Sequence, residues 1–64
     1  MSIESWVELA QDVPVRYATD LLNRQAMLYF GAQDEYVLIL GRENLRQVIE
    51  LATRALSDLD AAGR

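Results

Sequence analysis

The chain has 64 residues, of which ten are acidic and six basic, and 52% are apolar. This apolar fraction excludes a disordered tail, and the length is that of one small domain, residues 1–64. A chain of this size buries only about 60% of its unfolded surface when it folds alone. It therefore lies near the lower size limit for an independent fold.

Several side chains that carry chemistry are missing from the sequence. It contains no cysteine and no histidine, and all six basic residues are arginine. The absence of cysteine excludes disulfides, zinc–thiolate sites and thiol nucleophiles, and the absence of histidine removes the commonest general base and metal ligand. Without lysine there is no Schiff-base chemistry. We therefore expect no enzyme, no cofactor and no metal site.

The sequence predicts neither a membrane span nor a signal peptide. No apolar run approaches the 18 or more residues that a membrane-spanning helix needs. Residues 1–5 contain neither the basic region nor the apolar region of a signal peptide. We expect a cytoplasmic protein.

The first predicted element, residues 2–11, fits two structures. As a strand it alternates side chains between two faces, and as a helix it forms a stripe with Ile3, Trp6 and Val7. The spacing from Ser5 to Glu8 also fits a helix capping box. We favour the strand and keep the helix as the alternative.

Three further strands and the connections between them are predicted before residue 41. Residues 13–19 alternate as a strand, which Pro14 confines to an edge position or to the first residues of the strand. Residues 20–25 form a connection or one helical turn. Residues 26–30 and 36–40 are rich in aromatic and aliphatic side chains and flank a polar link of hairpin length.

The C-terminal part of the chain has the periodicity of an amphipathic helix, from about 42 to 62. Glu43 places an acid in its first turn, and Glu50 precedes Arg54 by four residues, which favours an exposed ion pair. Gly63 lies where a left-handed helix cap is expected. The apolar residues fall three or four positions apart: Leu45, Val48, Ile49, Ala52, Leu56 and Leu59.

These elements together predict an α+β fold. Its antiparallel sheet has three to four strands, with a hairpin over about 26–40, and the long C-terminal helix packs across it. The strand 37–40 is apolar on both faces, and one helix cannot cover both faces of the sheet. The second face must meet the N-terminal segment or a second copy of the chain, and we expect a homodimer. The predicted dimer contacts are Met27, Tyr29, Val37 and Ile39.

The charged residues fit surface roles better than catalytic or nucleic-acid-binding roles. Asp34 and Glu35 could form a general base or a cation site, but ordinary turn chemistry explains them better. Arg42 and Arg46 could bind an anion near the helix N-terminus, although pairing with nearby acids is the simpler interpretation. The arginines are dispersed and the net charge is −4, which argues against nucleic acid and leaves a dimeric DNA-binding regulator as the weakest option.

The leading functional hypothesis is a non-enzymatic protein-binding module. It would mask a basic partner, as inhibitors, immunity proteins and antitoxins do, because acidic side chains lie among aromatic anchors. The alternative is a structural dimerisation module or a small accessory subunit. No family motif stands out. The predicted partner-binding residues are Glu4, Trp6, Glu8, Tyr17, Asp34, Glu35 and Tyr36.

Overall fold

The computed structural model describes residues 5–63, which form three strands and one helix. The strands are β1 (Val15–Asp20), β2 (Gln25–Phe30) and β3 (Tyr36–Gly41), and the helix is α1 (Arg42–Ala62). The sheet is antiparallel with the order β1-β2-β3. The predicted α+β fold with a C-terminal helix is confirmed, with three strands.

The N-terminal segment forms neither of its two predicted structures, strand or helix, in the described residues. Residues 5–10 have no regular secondary structure, and a turn at 11–12 leads towards β1. The N–H of Val13 donates to the carbonyl of Ala10 at 3.2 Å and closes this turn. Residues 2–4 of the predicted strand lie outside the described residues. Pro14 supplies no N–H donor, and β1 begins directly after it.

The register assigns the strand residues to two faces, because paired residues on neighbouring strands point to the same side. We call one the helix face, since its Ala26 and Leu40 line a cavity together with Leu45 of α1. The other is the open face. The helix face carries Val15, Tyr17, Thr19, Ala26, Leu28, Phe30, Tyr36, Leu38 and Leu40, and the open face Arg16, Ala18, Asp20, Gln25, Met27, Tyr29, Val37 and Ile39.

The connection between β1 and β2 is a tight turn over residues 21–24. The carboxylate of Asp20 accepts hydrogen bonds from the Asn23 side-chain amide at 2.8 Å and from its backbone N–H at 3.1 Å. These bonds lower the pKa of Asp20 below its ordinary value, because they stabilise the charged carboxylate. Arg24 completes the turn with a φ of 56°. Leu21 and Leu22 are almost fully exposed at its tip.

The second turn depends on a glycine. Gly31 has a φ of 101°, a conformation that L side chains rarely adopt. Its N–H donates to the carbonyl of Pro14 at 2.8 Å, which extends the pairing beyond β1. Its carbonyl accepts from the N–H of Asp34 at 3.2 Å, which closes the turn that leads into β3.

Helix α1 follows β3 without an intervening residue. Glu43 lies in its first turn, as predicted. The ion pair between Arg54 and Glu50 forms at 3.0 Å, and Arg46 approaches Glu43 at 4.0 Å. The predicted left-handed cap at Gly63 is wrong: its φ is −75°, and its N–H donates to the Leu59 carbonyl at 2.9 Å. This i→i−4 bond adds one more helical hydrogen bond instead of reversing the chain.

The helix does not cover the sheet as we expected. Apart from half-buried Leu45, every residue of α1 is exposed, and no residue among 5–63 is fully buried. Because Gly41 ends β3 and Arg42 begins α1, no loop is present that would let the helix fold back across the strands. The chain extends over 43 × 27 × 24 Å.

Gly41 gives a stability prediction. It is the N-cap residue of α1, it makes no side-chain cap bond, and its φ of −72° suits any L residue. A Cβ atom there would meet nothing within 4 Å. We expect Gly41→Ser to raise the free energy of unfolding by about 0.5–1 kcal/mol, because a serine caps the helix and restricts the unfolded chain. Urea denaturation measures this change, and Gly41→Ala, which adds no cap, should gain less.

Candidate functional site: an acidic cleft and an uncovered apolar surface

An open cleft lies where the N-terminal segment passes the ends of β2 and β3. Its volume is about 550 Å³. Val7 and Leu9 face Phe30 and Tyr36 across its apolar part. The two aromatic rings lie 5.8 Å apart between centroids and are tilted by 56°. The N-terminal segment and this end of the helix face therefore line one hydrophobic site.

Among residues 5–63, three carboxylates and no basic side chain line the same cleft. They belong to Glu8, Asp12 and Glu35. Glu35 also accepts a hydrogen bond from the N–H of Gln33 at 3.2 Å, which fixes its side chain over the turn. An apolar cleft with only negative charge favours a cationic group on an apolar stem, as an arginine side chain provides.

The structure brings together part of the predicted partner-binding set. Glu8, Glu35 and Tyr36 line the cleft. Trp6 is 94% exposed and Tyr17 is 75% exposed, and neither lines it. Glu4 lies outside the described residues.

Asp34 differs from its acidic neighbour because it already has a cationic partner. The Nε of Arg16 donates to its Oδ1 at 3.2 Å, and the terminal nitrogen of the same guanidinium donates to Oδ2. The hydrogen bond to Asp34 raises the pKa of Arg16. The guanidinium also stacks over the Tyr29 ring, 4.1 Å from its centroid. Asp34 therefore serves the packing of the open face.

Sequence reasoning missed several residues of the cleft: Val7, Leu9, Asp12 and Phe30. Phe30 lies in the apolar run 26–30, and this run predicts a strand without indicating a site. Asp12 carried no motif, and only the turn before Pro14 places it beside the strand ends. The irregular path of residues 5–10 creates this site, and no periodic pattern in the sequence predicts such a path.

The four predicted dimer-contact residues all lie on the open face. Met27 pairs with Ile39, and Tyr29 pairs with Val37, in neighbouring positions of the β2–β3 ladder. Val37 and Ile39 are exposed, whereas Met27 and Tyr29 are half-buried. They share one face of the sheet, and their contact with a second chain stays a prediction.

The apolar stripe of α1 is the largest uncovered feature. Leu45 alone is half-buried, beside Ala26 and Leu40. The remaining large apolar residues of the helix are 40–70% exposed along about three turns: Val48, Ile49, Leu51, Leu56 and Leu59. Exposed apolar surface of this extent is typical of association sites.

Residues 5–63 contain neither a cluster of metal ligands nor a membrane-spanning helix. Within that range, no three side chains of the ligand types lie close enough together to hold a metal ion. In the same range, no helix is both long and apolar enough to cross a bilayer. Comparison with protein-family models, curated protein sequences and solved structures gives no significant match.

Proposed function

We propose that this chain is a non-enzymatic protein-association module whose apolar surfaces are covered by another polypeptide. The observation that carries the proposal is the lack of a core. More than half of the chain is apolar, yet no side chain among residues 5–63 is fully buried. Soluble proteins rarely leave a contiguous apolar surface larger than a few hundred Å² uncovered.

The accessible surface area supports this proposal. The chain exposes 6,096 Å², whereas a compact monomer of 7.3 kDa exposes about 4,200 Å². The excess is about 1,900 Å², and each partner in a standard interface contributes about 800 Å². The uncovered surface is therefore large enough for a stable complex.

The energetics of folding lead to the same expectation. Ordering the backbone costs about 1–2 kcal/mol per residue, and burial of apolar surface returns about 25 cal/mol per Å². Leu45 is the only residue of the 21-residue helix α1 that reaches half-burial. Burial within the single chain therefore offsets little of this entropic cost. Association supplies the missing burial.

The side chains of the cleft support a role without catalysis. Its polar groups on side chains are carboxylates and one tyrosine hydroxyl. A hydrolytic site needs a nucleophile, a base that activates it and shelter from water. The cleft is open, so it does not shelter its carboxylates from water.

The proposal predicts that folding depends on concentration. We expect the purified chain to sediment at a multiple of 7.3 kDa at micromolar concentration and to lose helix on dilution. Each tenfold dilution of a dimer that unfolds on dissociation lowers its stability by about 1.4 kcal/mol. Circular dichroism at 222 nm over a dilution series, together with sedimentation velocity, measures both quantities.

A folded monomer would contradict this proposal. It would keep its helical signal and a mass of 7.3 kDa at every concentration. A monomer that is unfolded alone and folds only with another protein would keep the association role and assign the surface to a different partner.

A second candidate function is the masking of a basic partner. The acidic cleft favours it, because Glu8, Asp12 and Glu35 line an apolar site to which no basic side chain of the described residues contributes. The net charge of −4 would also attract a cationic protein over a distance and accelerate its association. In this role the chain would act as an inhibitor or an antitoxin-like protein.

A further inference from the structure

The two edges of the sheet differ in how they are protected. β1 carries Arg16 and Asp20 and follows Pro14, and such residues keep an edge strand from pairing with another chain. β3 is the opposite edge. Its sequence, Tyr-Val-Leu-Ile-Leu-Gly, contains no charge and no proline and presents apolar side chains on both faces. An unprotected edge of this kind is a template for strand pairing.

We propose that two copies of the chain pair edge to edge through β3 and form one continuous six-stranded antiparallel sheet. The inference rests on the association role proposed above and names the partner as a second copy. A second copy has enough surface for this contact, because each copy exposes about 1,900 Å² more than a compact monomer. Homodimer interfaces of 2,000 Å² and more in total are of this size.

Symmetry determines the register that such a pair can take. Two antiparallel strands in one sheet are related by a two-fold axis perpendicular to the sheet, so corresponding residues point to the same side. Paired residues must also share a side. The axis therefore passes beside one residue that pairs with the same residue of the other copy. At the middle of β3 this residue is Leu38 or Ile39.

The same symmetry places both helices on one side of the six-stranded sheet. Each α1 follows its β3 directly, so the two helices begin at opposite ends of the central strand pair. Since the direct junction keeps each helix off its own strands, the other copy is the surface that can cover the stripe beyond Leu45, which the single chain leaves exposed.

This geometry refines the contact that the sequence predicted. Val37 and Ile39 lie on the pairing strand, at the centre of the proposed interface. Met27 and Tyr29 lie on the inner strand β2, where edge pairing does not reach them. Edge-to-edge pairing and contact through the open face therefore differ in whether the β3 strands of the two copies exchange backbone hydrogen bonds.

A matched pair of variants tests the edge. Ile39 on β3 is 57% exposed and Val15 on β1 is 55% exposed, so a lysine at either position is solvated in a single chain. Across a two-fold axis through β3, two Ile39→Lys charges come close together and repel. We expect I39K to raise the dimer dissociation constant about fivefold, measured by sedimentation equilibrium, because a cross-strand pair of like charges costs up to about 1 kcal/mol, and V15K to change it less than twofold.

Hydrogen exchange of the unaltered protein tests the same pairing without a variant. In an unpaired edge strand every second amide faces solvent and exchanges fast. We expect all amides of residues 37–40 to be protected at least 100-fold, and those of β1 to alternate between protected and fast. Alternating amide protection in β3 would overturn the edge pairing even if the protein is a dimer. An equal loss of dimer in I39K and V15K would overturn it as well. A chain that is monomeric and folded at all concentrations would overturn the association role as well.

Discussion

Leu56→Asp should destabilise the associated protein by about 3–5 kcal/mol. Leu56 is 59% exposed in the single chain, where a charge costs almost nothing beyond its lower helix propensity, about 0.5 kcal/mol. In a complex that covers the stripe of α1, the same carboxylate is buried. No basic residue lies three or four positions away to pair with it, so the full cost of an unpaired buried charge applies. Urea denaturation at a fixed micromolar concentration measures the difference.

Ser57→Asp is the control for this prediction. It introduces the same charge one position further along, on the polar side of the helix, beside Arg54 and Asp58. We expect it to change the free energy of unfolding by less than about 0.5 kcal/mol. Equal and small effects of both variants would mean that the C-terminal half of the stripe remains exposed to solvent in the complex. The proposed cover of α1 would then be wrong.

The helix and the central hairpin could be predicted because they depend on short-range patterns. The three-and-four spacing from Leu45 to Leu59 specifies one helical face, and α1 has the predicted bounds. Two apolar runs of five residues around a polar link with Gly31 specify β2 and β3. Gly31 supplies the positive φ that the turn requires. Each of these signals acts within a few residues.

The packing of these elements could not be predicted in the same way. The periodicity of α1 indicates that one face needs cover, and we assigned this cover to the chain's own sheet. The direct junction between Gly41 and Arg42 prevents the necessary reversal. The apolar stripe thus indicates that α1 needs a partner surface. The length of the connection between β3 and α1 determines whether that surface belongs to the same chain or to another one.

The acidic cleft shows a second limit. Glu8 and Glu35 stood out because they are acids near aromatic residues, and both line the cleft. Asp34 has the same signal, yet Arg16 binds it from a position 18 residues away. A pattern of residue types cannot distinguish a free carboxylate from a paired one when the pairing depends on strand register.

The cleft gives the prediction with the largest expected effect on binding. Glu8→Gln combined with Glu35→Gln should weaken the binding of an amidated tetra-arginine peptide about 5- to 30-fold. Each carboxylate at an exposed site contributes up to about 1 kcal/mol to such an ion pair, and 1.4 kcal/mol corresponds to a tenfold change in affinity. The association rate of the unaltered chain should fall between 50 and 300 mM salt, about the range in which the screening length shortens from above to below 10 Å. Stopped-flow kinetics and calorimetry measure these two effects.

Asp58→Asn combined with Asp60→Asn is the matched control. It removes the same two charges from the C-terminal end of α1, away from the cleft. If the whole-molecule charge drives binding, both double variants lose affinity equally and the cleft has no role. If the cleft binds the guanidinium groups, the control keeps its affinity within about threefold, since a charge removed from a remote surface acts only through the screened long-range field. The glutamine side chains preserve the shape of the site, so a selective loss at Glu8 and Glu35 reports the charge of the cleft itself.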